Sequence, residues 1–125
     1  MNSSSIIITE KLLKSAAARL HDARFITDTI EYNPTERKFL MKCWTRVSAK
    51  GDKVWKAHSL EFSGVDDCKI TQKEILSYYE LSTLNFNKNK QELNLVAHYA
   101  IDIILKTDGL NGLLTESDES RKAWA

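Results

Sequence analysis

The stretch Glu92–Lys106, ELNLVAHYAIDIILK, places Leu93, Leu95, Ala97, Tyr99, Ile101, Ile103 and Leu105 at every second position. A period of two turns successive side chains to opposite faces, so this run reads as strand with one buried face, either one long strand or two joined by a bend near Tyr99 and Ala100. Such alternation belongs to antiparallel sheet covered on one side. His98 falls on the face opposite the apolar stripe, where solvent is the default neighbour.

Working outward, NKNK at Asn87–Lys90 reads as a loop, and Tyr78–Phe86 as a strand before it. Cys68–Ser77 is mixed, with Thr71 and Glu74 spaced to frame a short helical turn. Lys38–Val47 and Val54–Phe62 alternate, with a turn at Ala49–Asp52 between them, and Gly64 to Asp67 breaks the second run. Phe25–Tyr32 pairs with Lys38–Val47 through a turn at Asn33, Pro34 and Thr35. Ahead of these, Leu12, Leu13, Ala16, Ala17 and Leu20 recur at three and four, which predicts a helix over Thr9–Leu20 capped by Thr9. Downstream, Asp108 and Gly109 form a turn, Leu110–Leu114 is short and apolar, and the tail is polar until Trp124. The fold class expected is α+β: an N-terminal helix packed on a mainly antiparallel β-meander of about six or seven strands, or else a small β-sandwich or half-barrel. Residues 1–125 make one domain, with 1–8 and 116–125 flexible.

Length and composition narrow the function. A chain of 125 residues holds one domain and excludes the large cofactor folds. Lys and Arg number 18 against 17 Asp and Glu, so net charge creates no strong attraction for a nucleic acid backbone. The basic groups Lys11, Lys14 and Arg19, Lys50, Lys53 and Lys56, and Lys88 and Lys90 each have acidic neighbours, and no nucleic-acid partner is expected. The apolar run Ile6–Ile8 is too short for a secretory signal, and no stretch of 18 apolar residues exists. A cytoplasmic protein with no membrane partner is the expectation. Cys43 and Cys68, neither a CxxC pair nor a zinc knuckle, are read as free thiols, Cys43 as a small buried hydrophobe.

Motifs for chemistry are missing. The chain has no GxSxG elbow, no phosphate-cradling GxxxxGK[ST] and no GxGxxG. His21, His58 and His98 are too far apart for HExxH or a zinc finger. They could meet in space, with Asp22, Asp66 or Cys68 completing a metal site, but parity favours surface or edge histidines, and no metal or cofactor is expected. His21 and Asp22 are adjacent, and in an extended segment neighbours point apart. Asp22 is therefore read as ending the helix and satisfying a backbone N–H. Asp66 and Asp67 meet the same objection. No catalytic residue is assigned.

Two elements, LHDARFITDTIEY at Leu20–Tyr32 and LEFSGVDDCKI at Leu60–Ile70, carry a resemblance. The chain resembles a loose group of small uncharacterised bacterial β-sheet proteins that open with an LHD element and carry L-x-F-x-G-V mid-chain, some of which look like immunity proteins of toxin systems. The resemblance spans about a third of the chain, implies a sheet-rich domain that acts by binding, and brings no catalytic residues. Independently, Trp44, Trp55, Tyr78, Tyr79, Tyr99 and Trp124 are many large aromatics for a small meander, and such residues anchor interfaces. Trp44, Trp55, Arg46, Tyr99 and Trp124 are the candidate interface, serving a protein partner or a homodimer that pairs open strand edges. The function expected is a non-enzymatic protein-binding domain, such as an immunity-type inhibitor. The alternatives are a small hydrolase or isomerase using a cleft lined by His58, His98 and a carboxylate, and a structural homodimer.

Overall fold

In the computed structural model, which describes residues 5–49 and 52–121, nine strands and one helix form an α+β half-barrel. The strands are β1 (Ser5–Ile8), β2 (Arg24–Phe25), β3 (Glu31–Asn33), β4 (Lys38–Ala49), β5 (Asp52–Gln72), β6 (Tyr79–Glu80), β7 (Thr83–Asn87), β8 (Glu92–Ala97) and β9 (Ile101–Arg121). All pair antiparallel in the order β6-β2-β4-β5-β9-β8-β7, with β1 also on β9 and β3 also on β4. The order corrects the expected meander of six or seven strands. β9 lies centrally between β5 and β8 and also pairs with β1, so the last strand in sequence is the one on which the sheet is assembled.

The decisive run divides in two. Leu93, Leu95 and Ala97 of β8 and Ile101, Ile103 and Leu105 of β9 face the core, but His98–Ala100 is a tight turn closed by Ala100 N–H on Ala97 O at 3.0 Å. His98 takes a left-handed φ of 49°, and Tyr99, the stripe's middle member, stands out at 85% exposure. β5 and β9 are each 21 residues long, because the glycines read as breaks are bulges instead. Gly64 (φ 75°) and Gly109 (φ 80°) supply the left-handed conformation that such bulges use, and the β5–β9 register slips around Val65. The two strands bulge side by side: a Cβ on Gly64 would stand 3.5 Å from Asp108 O. Paired bulges add twist and bend to long strands, which is how this sheet curls.

Other expectations shift in detail. The helix α1 is Leu13–Leu20 and carries no side-chain cap, Thr9 instead accepting the Leu12 N–H through its backbone oxygen. Ala16 and Leu20, four apart, are buried, and α1 packs against β1, β4 and β7. The expected strand Phe25–Tyr32 is broken by a 3-10 turn at Thr27–Thr29, and the helical turn expected after Thr71 is the end of β5 followed by bends. The turn after Asn33 is present, its side-chain oxygen accepting the N–H groups of Thr35 and Glu36. Within the segments expected to be flexible, Ser5–Ile8 and the stretch from Glu116 to Arg121 are strand, and Ile8 is fully buried. The remainder of that expectation, and Trp124, lie outside the described residues.

The core is formed by Phe39, Met41 and Cys43 of β4, Leu60 and Phe62 of β5, and the apolar rows of β8 and β9. Tyr79–Asn87 links the two ends of the sheet: β6 pairs with β2, β7 pairs with β8, and only Leu81 and Ser82 separate them. Leu81 N–H bonds Ala23 O at 2.7 Å while Ser82 N–H bonds Val96 O at 2.8 Å, so this segment is the seam of the curl. At the seam Phe25 stacks on Tyr79, centroids 5.6 Å apart.

Candidate functional site

Three side chains from distant parts of the chain meet at this seam. Asp22, Glu80 and His98 each offer a ligand atom, all within 4.8 Å of one another. Asp22 follows α1 with φ 67°, its backbone N–H held by Leu81 O at 2.8 Å. Glu80 ends β6 in register with Arg24 of β2. His98 occupies the β8–β9 turn, its backbone N–H on Ser82 Oγ at 2.9 Å, and that hydroxyl in turn donates to Val96 O. Each member is thus anchored by main-chain bonds to Leu81, Ser82 or a paired strand.

Beside the cluster lies a cleft of about 450 Å³, lined by Leu76, Tyr78, Tyr79, Tyr99, Glu80 and His98 among others. Its outer wall, the loop after β5, is tied down by the buried Tyr79 hydroxyl. This group donates to Glu74 O at 2.8 Å and accepts from Gln72 Nε2 and the Leu76 N–H. Ile75 on that loop is 90% exposed. The cleft has aromatic walls and a polar lip, the composition of a small-molecule site.

Asp22 and His98, considered together for a metal, do converge, but with Glu80 and not with Asp66 or Cys68. Asp66 pairs with Arg37 at 2.7 Å, and Cys68 is a half-buried free thiol raised by burial and by the Asp67 charge. The adjacent His21 and Asp22 do approach, Nδ1 to Oδ2 at 3.3 Å, because the left-handed Asp22 backbone removes the strand geometry that would separate them. The Asp22 carboxylate therefore faces His21, and it is the Asp22 backbone N–H that is held. Glu80 carried no local signal; only closure of the seam brings it to Asp22 and His98.

His58 is no surface residue. It is 2% exposed on the core face, opposite Cys43, whose thiol burial pushes up to about 12. Its Nδ1–H donates to Lys56 O at 3.1 Å, and Nε2 makes no hydrogen bond among the described residues, facing Glu116 Oε2 at 3.9 Å. Burial, with the Arg19 and Lys56 charges, lowers the His58 pKa against the opposing pull of the Lys56 carbonyl and Glu116. Below about pH 6.5 the unfolded chain then takes up a proton that the folded chain resists, so stability is full above that pH and falls as pH drops through it. Denaturant midpoints between pH 7.5 and 5.5 should decline more steeply in the native chain than in His58→Leu. Parallel slopes would show that His58 contributes nothing.

Of the expected interface residues, Trp44, Trp55 and Arg46 share the sheet's outer face, Arg46 in register with Trp55, and Tyr99 lies in the β8–β9 turn. Trp44 (5% exposed) and Trp55 (9%) form a second cluster with Ala57 on the sheet's outer face. Cations cover them: the Arg24 guanidinium lies 4.2 Å from the Trp55 ring centroid and 4.5 Å from that of Tyr78, while Lys42 and Arg121 approach Trp44. Arg46 and Tyr99 are exposed. Among the described residues no helix is long and apolar enough to cross a membrane.

Comparison of the chain with known protein families, curated proteins and solved structures gives no match.

Proposed function

We propose that the protein handles a small molecule in the seam cleft, as a hydrolase or isomerase in class. The observation that carries this reading is the convergence of Asp22, Glu80 and His98, two of which, Glu80 and His98, line a concave, aromatic-walled cleft. The tyrosines supply apolar area for a planar or partly apolar ligand, and the lip supplies groups that orient water or a polar substituent. The His58, His98 and carboxylate cleft weighed from sequence is replaced by Asp22, Glu80 and His98, since His58 is buried elsewhere against Glu116.

The test is titration of the isotope-labelled chain with p-nitrophenyl acetate, chosen for its aromatic ring and labile ester, followed by amide shifts and by nitrophenol release. Shifts centred on Tyr78, Tyr99 and Ala100, with release reduced at least about tenfold in Glu80→Gln and His98→Asn, are expected. Equal release from the variants, or shifts elsewhere, would count against it.

A second reading, the protein-binding domain of immunity type, draws on the exposed apolar rim of Ile75, Leu76 and Tyr99, a patch suited to an anchor contact. It requires one stoichiometric protein on affinity purification whose binding is lost in Ile75→Asp and Tyr99→Asp.

A further inference from the structure

We propose that Asp22, Glu80 and His98 form a three-ligand site for a divalent transition metal of the zinc class at the cleft's lip. The inference deepens the small-molecule reading and rests on it for the metal's purpose, though not for its binding. Ligand atoms about 2.1 Å from a shared zinc ion stand roughly 3–4 Å apart. The three groups lie within 4.8 Å of one another before any ion draws them in, so small side-chain rotations suffice. Their backbones are fixed by bonds to Leu81 and Ser82 and by the β6–β2 pairing, so the site does not depend on a mobile loop.

The donor set selects the ion. One imidazole with two carboxylates suits zinc and its neighbours, whereas magnesium and calcium prefer oxygen alone. Three protein ligands leave a fourth position for water or substrate, as in catalytic zinc sites, and here Glu80 and His98 also line the cleft. His21 Nδ1, 3.3 Å from Asp22 Oδ2, is placed as the outer partner that orients a ligating carboxylate. The contact of His58 with Glu116 lacks these properties: Arg19 and Lys56 stand 3.5 Å and 3.6 Å from the Glu116 oxygens and already balance its charge.

Calorimetric titration of the untagged, metal-free chain with zinc chloride near pH 7.5 should give one saturable site per chain. Affinity should fall at least 10- to 100-fold, on the order of an outer-shell loss or greater, in His98→Ala and in Glu80→Gln, and less in His21→Ala. Magnesium chloride should give no comparable heat. Zinc should shift the amides of Asp22, Glu80 and His98, and Tyr99→Ala should keep zinc binding while losing the ester. Absence of saturable zinc binding, or binding that His98→Ala and Glu80→Gln leave intact, overturns the site. Zinc binding without any ester response would retain the metal site and remove the cleft reading, and the reverse result would do the opposite.

Discussion

Phe25→Ala is expected to destabilise the protein by about 3–5 kcal/mol, the cost of emptying a fully buried aromatic site. Phe25 occupies a strand of two residues that pairs with β4 on one side and β6 on the other. Its ring stacks on Tyr79, an arrangement worth roughly 0.5–1.5 kcal/mol beyond area alone. Removing it empties the seam where the sheet's ends meet and loosens the residue whose hydroxyl tethers the cleft wall. Calorimetry should register a melting temperature lower by on the order of 12–20 °C, at about 4 °C per kcal/mol for a chain this long. Proton exchange at Leu81 and Ser82 should accelerate before that in β5 and β9. A fall below about 1 kcal/mol, or uniform loosening, would mean that the seam is held by its backbone bonds alone.

Gly112→Val should cost about 3 kcal/mol for the opposite reason, overfilling. Gly112 lies in β9 between Ile8 of β1 and Phe62 of β5. A Cβ there would meet Phe62 Cε1 at 2.6 Å and Cδ1 at 2.8 Å, with Ile8 Cβ at 3.0 Å. The Phe62 ring is fully buried and tilted against Phe39, so it has no open side into which to retreat. Trimming the ring should therefore rescue the change: Gly112→Ala with Phe62→Leu ought to be more stable than the two separate losses predict. Strict additivity in urea denaturation would show that the ring and the glycine are not coupled.

Much of the fold is legible in the sequence because one-sided burial leaves a period of two. The rows Phe39, Met41, Cys43 and Leu93, Leu95, Ala97 face the core as alternation predicts. What local pattern does not carry is pairing at a distance. Gly64 and Gly109 read as chain breaks, since a glycine at positive φ serves a turn and a bulge equally, and only the neighbouring strand distinguishes them. Tyr99 satisfies the parity of a buried stripe and is exposed because the chain turns there. The candidate site is less legible still: Asp22 and His98 were visible as ligand types, but their meeting with Glu80 depends on β6 and β7 bridging the sheet's two ends. Trp44 and Trp55 stand out in the sequence as large aromatics, whereas Arg24, which covers Trp55, has no distinguishing sequence context, and Lys42 and Arg121 lie over Trp44.

The central place of β9 bears on how the protein is made. Ile101–Arg121 pairs with β1, β5 and β8, and Ser5 finds Thr115 across 110 positions of chain. Such non-local pairing places a fold among the slower, millisecond-to-second folders. On a ribosome, synthesis proceeds from the N-terminal end, so β1, β5 and β8 are all complete before their shared neighbour has emerged. Through that interval β5 presents an unpaired edge along its whole length, of the kind that recruits other chains. Until β9 has emerged that edge stays open to other chains, and the pairing of β9, not formation of the β4–β5 hairpin, is the step that closes it.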